Sequence, residues 1–227
     1  LENIRFFEGE KSNCNKLGKS LSSLGDIYVF DAFGTSHREQ SSTHSAIVNS
    51  NLSCAGLLLE KEIDSLTKAL NESQNPYTAI IGGAKVSTKL ELIKNINSKA
   101  DHIIVGGGIA NTFLKAAGHE IGISLCEESM VGIAKELLND GKIILPDTVI
   151  TSKTFEGEDI KEKHISEVKK NEMILDQFLN DEIDNAISSS NTILWNGPLG
   201  VFENKSFKEG TEQLSNAIAK SKAGSSA

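Results

Sequence analysis

The sequence predicts an α/β fold built on parallel β-sheets, and three observations carry this prediction. Short apolar runs alternate with stretches of helical periodicity along the 227 residues, which is typical of strand–helix–strand units with parallel pairing. Glycines follow three of these apolar runs directly, in the segments IIGGAK, IIVGGG and LWNGPLG. A long amphipathic segment separates the first unit from the later ones, so we expect two domains.

Composition and charge limit the class of protein. The chain is 38% apolar and 24% charged, which is enough for one large or two small globular domains. Its formal net charge is −8 and no basic block stands out, so nucleic acid is not an expected partner. The apolar runs are far shorter than the roughly 20 residues of a membrane span. No signal peptide is visible, and we expect a cytoplasmic protein without a membrane partner.

The cysteines, Cys14, Cys54 and Cys126, are odd in number and widely spaced, which favours free thiols over a disulfide framework or a zinc site.

Residues 1–32 are predicted to form one strand–helix–strand unit. Leu1–Phe7 and Ile27–Ala32 read as strands, and Cys14–Leu24 reads as a short helix between them. This order predicts that the two strands pair in parallel.

A polar loop, Asp31–His44, follows the second strand. Ligands of open parallel sheets bind beyond the carboxyl ends of strands, where this loop would lie. An ordinary surface loop would have the same composition. Arg5, at the end of the first strand, and Arg38, in the loop, could form a pair of anion clamps.

The segment Ser53–Ser73 is predicted to be one long amphipathic helix that connects the two domains. Its apolar face would consist of Leu57, Leu58, Ile63, Leu66, Ala69 and Leu70. Pro76 cannot continue a helix, so the connecting helix is predicted to end before it. The second domain is predicted to span residues 74–227.

The second domain is predicted to repeat the order strand, glycine turn, helix. Strands are expected at Thr78–Ile81, Ile103–Val105, Ile143–Leu145 and Thr192–Trp195. Helices are expected at Ile109–Ala117, Glu127–Asn139, Glu172–Ser189 and Thr211–Lys220, with Gly118 as a left-handed cap of the first. The charged stretch Lys153–Asn171 is interpreted as an exposed excursion, and its His164 has no partner in the sequence pattern.

The stretch Ile80–Leu90, IIGGAKVSTKL, is the strongest candidate site. The helical spacing predicts a helix that begins close to Lys85. The apolar residues of this helix would be Val86, Leu90, Ile93 and Ile96. Lys85 and Lys89 would then lie at the positive end of a helix and repel each other, unless an anion is bound there. The stretch does not match GxxxxGK[ST], and a surface helix whose lysines point into water is the alternative.

The three glycine-bearing strand ends should lie along one edge of a parallel sheet. The lysines would serve phosphates, Gly106–Gly108 would give a flat floor for a base, and Glu203 would bind ribose hydroxyls. Together these features predict a nucleotide site. GGGIAN lacks the third glycine of GxGxxG, so a dehydrogenase that binds NAD is disfavoured. No GxSxG, HExxH or paired Cys/His motif occurs in the sequence.

Five segments occur in the order and spacing of one known family. They are LENIRF, FDAFGTSHR, IIGGAKVSTKL, IVGGGIANTFL and ILWNGPLGVFE. With these motifs the chain resembles the phosphoglycerate kinases from Leu1 to Phe207. The resemblance implies a Rossmann-like, three-layer αβα fold with two domains joined by a long helix. It also implies that closure of the two domains brings the bound substrates together. A phosphoryl group would then be transferred between 1,3-bisphosphoglycerate and ADP.

The resemblance also assigns roles to single residues. Arg5 and Arg38 would hold 3-phosphoglycerate, Arg38 would face the transferring phosphoryl, and Lys89 would follow that group. The implied nucleotide contacts are Gly83, Lys85, Lys89, Gly106, Gly107, Gly108, Asn196, Pro198, Leu199 and Glu203. Mg²⁺ would be carried by the phosphates of ATP or ADP, with no ligand among the residues named above, and we expect a monomer. The attacking phosphate oxygen is already ionised, so His37 is interpreted as a packing or hydrogen-bonding residue rather than a base.

The chain also departs from the family's pattern. It lacks the opening Asp-x-Asn and His-x-x-Arg substrate motifs and the later Gly-Gly-Gly-Asp-Thr loop, and Gly224–Ala227 does not resemble the family. The chain begins without Met and stops where another strand is expected. We therefore expect residues 1–52 to be the remnant of a substrate domain, residues 74–227 to be an incomplete nucleotide domain, and this fragment to be inactive alone. A non-catalytic nucleotide-binding module is the alternative.

Overall fold

The computed structural model describes residues 2–71 and 73–226. The chain forms two compact units, Leu1–Thr67 and Lys68–Ala227. The domain boundaries expected from the sequence, 1–52, 53–73 and 74–227, remain a prediction.

The first unit contains a small parallel sheet and three helices. They are α1 (Asn15–Ser22), β1 (Tyr28–Phe30), α2 (Ala46–Asn49), β2 (Ser53–Ala55) and α3 (Leu57–Asn71). Helix α3 continues past Thr67 into the residues of the second unit. Strands β1 and β2 pair in parallel. A π-helical turn at Ser41–Ser45 leads into α2.

Two predictions for this unit are wrong. The predicted first strand, Leu1–Phe7, is instead a 3₁₀ turn at Ile4–Phe6, because the Asn3 side chain accepts a hydrogen bond from the Arg5 N–H and closes the turn; Leu1 itself lies outside the described residues. The parallel partner of β1 is β2, from the segment predicted to open the long helix.

That helix begins four residues later than Ser53 because Asp31 marks its start. The Asp31 carboxylate accepts a hydrogen bond from the Leu59 N–H at 2.7 Å. A side-chain acceptor of this kind satisfies one of the unpaired donors at a helix N-terminus. Of the predicted helix Ser53–Ser73, Glu72 lies outside the described residues.

The second unit is built around a five-stranded parallel sheet in the order β10-β9-β3-β4-β5. Its strands are β3 (Tyr77–Gly82), β4 (His102–Gly106), β5 (Ile143–Ile144), β9 (Thr192–Asn196) and β10 (Gly224–Ser226). Its helices are α4 (Leu90–Asn97), α5 (Gly107–Ala116), α6 (Val131–Leu138), α7 (Asp181–Ser189) and α8 (Glu209–Lys220). Strand β10 lies within the closing AKSKAGSSA, where the sequence predicts another strand; Ala227 lies outside the described residues.

Helices cover both faces of this sheet. Ile80 and Ile104 pack in one core cluster with Ile183 of α7 and Leu214 of α8. Successive side chains of a strand point to opposite faces, so the buried Ile81 lies on the other face, where α5 packs against β3 and β4. Burial on both faces explains why β3 and β4 read as continuous apolar runs.

A second, antiparallel sheet of three strands was not predicted. It consists of β7 (Lys161–His164), β6 (Thr148–Ser152) and β8 (Met173–Gln177), with β6 in the centre. The exposed excursion predicted at Lys153–Asn171 is wrong in part, because it contains β7 and the buried Ile165 and Val168.

The helix predicted at Glu172–Ser189 is wrong in its first half, which is β8. Helix α7 begins only at Asp181, where the Asn180 side chain accepts the Ile183 N–H at 2.9 Å. His164, for which the sequence offered no partner, hydrogen-bonds through Nδ1 to the Ser166 hydroxyl at 2.7 Å.

The remaining helices of the second unit lie close to their predicted places. The segment Glu127–Asn139 splits into a 3₁₀ turn at Glu128–Met130 and α6, and α8 begins two residues before the predicted Thr211. Gly118 follows α5 with a φ of +93°, as a left-handed cap. Within the part of the chain that the structure describes, no helix is long and apolar enough to cross a bilayer.

Candidate functional site

The three glycine-bearing strand ends lie side by side at the carboxyl edge of the parallel sheet. In the register of the sheet, Gly82 at the end of β3 is opposite Gly106 at the end of β4. On its other side, Ile81 is opposite Asn196 at the end of β9. The convergence predicted from the sequence is confirmed.

Glycine is required where these strand ends touch. A Cβ on Gly82 would overlap the carbonyl oxygen of Pro198, and a Cβ on Gly197 would overlap the carbonyl oxygen of Gly82. Gly197 also has a φ of +102°, a conformation that L-residues rarely adopt. A Cβ on Gly106 would come within 2.9 Å of the Pro198 oxygen. The edge is therefore a surface of closely packed backbone.

Backbone hydrogen bonds tie the ends together. The Gly107 N–H donates to the Leu199 carbonyl at 2.8 Å, and the Ile109 N–H donates to the Gly83 carbonyl at 3.0 Å. The Leu199 N–H in turn donates to the Thr211 hydroxyl at 3.2 Å. These bonds fix the loop after β9 and the turn after β3 against the start of α5.

The segment Gly83–Lys89, which we call the lysine turn, is not helical. The prediction of a helix that begins close to Lys85 is wrong, because α4 begins at Leu90 with Lys89 as its N-cap. The Thr88 hydroxyl donates to the Lys85 carbonyl at 2.8 Å, and the Lys89 N–H donates to the Val86 carbonyl at 2.9 Å. Lys85 and Lys89 therefore do not lie one turn apart on the same helix.

The two lysines have different surroundings. The Lys89 ammonium donates to the Asn196 side-chain oxygen at the end of β9, and the Lys89 Cε lies 3.9 Å from the position of a Cβ on Gly83. Lys85 is exposed. Lys89 is thus held over the sheet edge, whereas Lys85 extends from the turn into solvent.

Glu127, which the sequence analysis did not single out, contacts the lysine turn. Its carboxylate accepts a hydrogen bond from the Ser87 N–H at 2.8 Å. Hydrogen bonds from Ser87, together with the nearby charge of Lys85, hold the pKa of Glu127 below its usual range. The two residues are 40 positions apart in the sequence, and no local pattern connects them.

Asp176 is a second residue that the sequence analysis missed. Its buried carboxylate accepts the Gly210 N–H at 2.9 Å and the Gln177 N–H at 3.0 Å. Burial raises its pKa to about 6, against the opposing effect of these hydrogen bonds. A Cβ on Gly200 would overlap this carboxylate. Asp176 therefore packs against Gly200 in the loop after β9 and accepts a hydrogen bond from Gly210 at the start of α8.

Glu203 lies on the exposed part of that loop. It lines an open depression together with Phe155, Val201, Asn204 and Lys205. The role of Glu203 in ribose binding remains a prediction.

The predicted arginines belong to the first unit. Arg5 is half-buried and lines a cavity with Glu10, Tyr28 and Gln40, among other residues. Arg38 is exposed, and its Nε lies 3.5 Å from Nε2 of His37. The clamp formed by Arg5 and Arg38 remains a prediction, as does the role expected for His37.

The comparison with protein families decides the classification. A family profile described as phosphoglycerate kinase matches residues 1–227. The chain belongs to the phosphoglycerate kinase family.

Individual phosphoglycerate kinases agree with this assignment. The chain is 46% identical over 224 residues to the phosphoglycerate kinase of Vibrio campbellii, covering 97% of this chain and 58% of that protein. It is 48% identical over 226 residues to that of Blochmanniella floridana, covering 98% of this chain and 56% of that protein. The chain thus spans less than three fifths of the length of these curated relatives.

Solved phosphoglycerate kinases have the same fold. The structure from Coxiella burnetii has a TM-score of 0.77 at 42% identity and covers 99% of this chain and 60% of that chain. The structure from Pyrococcus horikoshii OT3 has a TM-score of 0.80 at 29% identity and covers 98% of this chain and 60% of that chain. The predicted α/β phosphoglycerate kinase fold is therefore confirmed.

Proposed function

We propose that the chain is part of a glycolytic phosphoglycerate kinase. The complete enzyme would transfer a phosphoryl group reversibly between 1,3-bisphosphoglycerate and ADP, giving 3-phosphoglycerate and ATP, with a carboxyl group as the acceptor in the reverse direction. The observation that carries this proposal is the hydrogen bond from Lys89 to Asn196, which joins the turn after β3 to the end of β9 at the edge where the three glycine-bearing strand ends lie side by side. This hydrogen bond holds the Lys89 ammonium beside glycine backbone, which carries no side chain to block the approach of a ligand.

The geometry suits phosphoryl transfer, which depends on alignment and charge neutralisation more than on covalent chemistry. The Lys89 ammonium would exchange Asn196 for an oxygen of the transferring phosphoryl, and the exposed Lys85 would bind the nucleotide phosphates. Gly106–Gly108 would lie beneath the base, and Glu203 would bind the ribose. Mg²⁺ would arrive with the nucleotide as part of the substrate. The described residues contain no cluster of three or more His, Cys, Asp or Glu that could hold a metal ion.

The first unit would supply part of the phosphoglycerate site through Arg5 and Arg38. A guanidinium group binds phosphate and carboxylate oxygens in a bidentate manner and stays charged. During transfer Arg38 would have to meet the phosphoryl group that Lys89 holds. We expect the protein to be cytoplasmic and monomeric.

Binding of ADP with Mg²⁺, measured by calorimetry on the 227-residue chain, tests the nucleotide role. We expect Lys89→Ala to abolish binding, because it removes the cation held at Asn196. Lys94→Ala is the matched control, since Lys94 is an exposed lysine on α4, and it should bind as the unaltered chain does. Equal binding by the Lys89 and Lys94 variants would refute the proposed role of Lys89.

The same chain should show no coupled formation of ATP from 1,3-bisphosphoglycerate. The reason is that it spans 58% or less of the curated relatives named above. It also does not contain the Asp-x-Asn and His-x-x-Arg substrate motifs of the family. Turnover near that of a complete phosphoglycerate kinase would contradict this expectation.

A non-catalytic nucleotide-binding module is the second candidate, favoured by the same partial coverage. It predicts ADP binding that requires Lys89, is unchanged in Arg38→Ala, and occurs without any binding of 3-phosphoglycerate. Binding of 3-phosphoglycerate that is lost in Arg38→Ala would favour the kinase.

A further inference from the structure

The contact between Glu127 and the lysine turn joins two segments that have separate anchors. The Glu127 carboxylate accepts the Ser87 N–H at 2.8 Å. Ser87 lies in the middle of the turn, between Val86, which is fully buried, and Lys89. The carboxylate therefore holds the exposed crest of the turn that carries both lysines.

The backbone of Glu127 is itself fixed to α5. Its N–H donates to the Thr112 hydroxyl at 3.1 Å, and that hydroxyl donates to the Gly108 carbonyl at 2.9 Å. Two residues before it, the Leu125 carbonyl accepts the Asn111 side-chain amide at 3.2 Å. Thr112 and Asn111 are both buried. The Glu127 carboxylate is thus presented from a rigid base.

The lysine turn rests on the same part of α5. A Cβ on Gly108 would overlap the Ala84 carbonyl oxygen, so the backbone of the turn lies directly against the first turn of the helix. The Gly83 carbonyl is bonded there as well, to the Ile109 N–H. Beyond Ala84, it is the Glu127 carboxylate that bonds the crest of the turn back to the segment anchored on α5.

We propose that Glu127 is a positioning residue that holds the lysine turn in the shape that presents Lys85 and Lys89 to an anionic ligand. A preordered turn has less backbone entropy to lose when the ligand binds. A carboxylate is a strong acceptor for a backbone N–H, and at this place it also offsets the charge of Lys85 when no ligand is bound. The inference rests on the proposed nucleotide role of the turn.

Neighbouring residues of the same type provide the control. Glu128 is also a glutamate of this segment, but its carboxylate pairs with Lys115 on the exposed surface of α5. Glu127→Ala and Glu128→Ala therefore remove a carboxylate at adjacent positions. Of the two, Glu127→Ala removes the acceptor of the Ser87 N–H. Glu127→Gln keeps an acceptor oxygen for the Ser87 N–H and removes the charge.

Two measurements on the 227-residue chain test the proposal. Amide hydrogen exchange, resolved by NMR, reports whether the Ser87 N–H is protected, and calorimetry with ADP and Mg²⁺ reports the affinity. In Glu127→Ala we expect fast exchange at Ser87 and about tenfold weaker ADP binding, since the hydrogen bond that orders the turn is lost. Glu127→Gln should restore both values to near those of the unaltered chain, and Glu128→Ala should leave both unchanged.

The outcomes separate this proposal from the proposed function. Equal Ser87 protection in the alanine variants of Glu127 and Glu128 would overturn the proposal, as would a Glu127→Gln variant that binds as weakly as Glu127→Ala. If the unaltered chain binds no ADP, the nucleotide role of the turn fails and this proposal fails with it. If ADP binds and depends on Lys89 but not on Glu127, the proposed function stands and the positioning role is refuted.

Discussion

At the scale of single residues, Asp176 is a buried carboxyl group whose titration should be visible in the stability of the protein. Burial raises its pKa to about 6, whereas the unfolded chain would titrate near the usual value of about 3.9. Between these pH values the folded state retains a proton that the unfolded state releases. The stability contributed by this group is therefore complete below about pH 4 and is lost as the pH rises to about 6. The loss should amount to about 3 kcal/mol.

Urea unfolding measured at intervals from pH 4 to pH 7 checks this prediction. Asp176→Asn removes the titrating group, so the decline across this range should be absent, whatever the variant's stability at a single pH. Asp184→Asn, at an exposed position of α7, is the matched control and should keep the decline. A slope shared by all three proteins would assign the pH dependence to another group.

At the scale of secondary structure, the antiparallel sheet contains a buried ion pair between two of its segments. Lys163 of β7 donates to both carboxylate oxygens of Glu172, at 2.7 and 3.0 Å, and the two side chains are 9% and 5% exposed. Burial alone would raise the pKa of Glu172, but hydrogen bonds from Lys163 and the Lys169 N–H hold it below its usual range. The Glu172 carbonyl also accepts the Ile123 N–H at 2.8 Å. Glu172 thus contacts Lys163 of β7 through its side chain and the chain around Ile123 through its backbone carbonyl.

We predict that Lys163→Met lowers the free energy of unfolding by about 3–5 kcal/mol, because it leaves a buried carboxylate unpaired. The double variant Lys163→Met, Glu172→Leu should recover most of that loss, since it removes both buried charges. Chemical denaturation of the variants measures these differences. Lys161→Met is the control on the same strand, because Lys161 pairs with Asp159 on the surface at 2.9 Å, and its effect should be much smaller. A double variant as unstable as the single one would show that the loss comes from packing rather than from the charge.

The same sheet shows where prediction from the sequence stops. The pattern of apolar residues predicted β3, β4 and β9, because strands buried on both faces are apolar along their whole length. Strand β7 reads Lys-Glu-Lys-His, and its apolar support comes from Ile165 and from strands distant in the sequence. Strand β8 has enough apolar residues for a helix, and only pairing with β6 decides its form. Short segments whose partners lie far along the chain cannot be assigned from local pattern alone.

The candidate site, like the sheets, could be predicted from the sequence only in part. The glycines before Lys85 and after β4 and β9 identified the sheet edge, because their need for close backbone approach is visible in the sequence. The starting point of α4 was not, since it depends on Thr88 and on Glu127, whose contact with Ser87 spans 40 residues. Asp176 was hidden for the same reason, within a segment whose pattern favoured a helix.

At the scale of the whole molecule, the two units differ in how much apolar surface they bury. Among the described residues, Ala46 and Leu59 are the buried hydrophobic residues of the first unit, and all the others belong to the second. The large hydrophobic residues that are exposed are concentrated in the first unit. Those of the first unit are Phe6, Phe7, Leu24, Ile27, Val29, Val48, Leu52, Leu57, Leu58 and Ile63, whereas those of the second are Ile123, Leu125, Phe155, Ile160 and Phe202. Apolar burial is the main favourable term in folding, so the two units should differ in stability.

We therefore predict that amides of the first unit exchange with solvent much faster than those of the second. Its sheet has two strands of three residues each, β1 and β2, and a two-stranded sheet with little core is marginally stable in water. In the second unit, the amides of β3 and β4 lie in the centre of a five-stranded sheet and should exchange only on global unfolding. Hydrogen exchange followed by mass spectrometry on the 227-residue chain compares peptides from both units in one sample. Equal protection of the β1 and β3 peptides would show that the exposed apolar side chains of the first unit are covered in solution, for example by self-association, which dilution of the sample would then reverse.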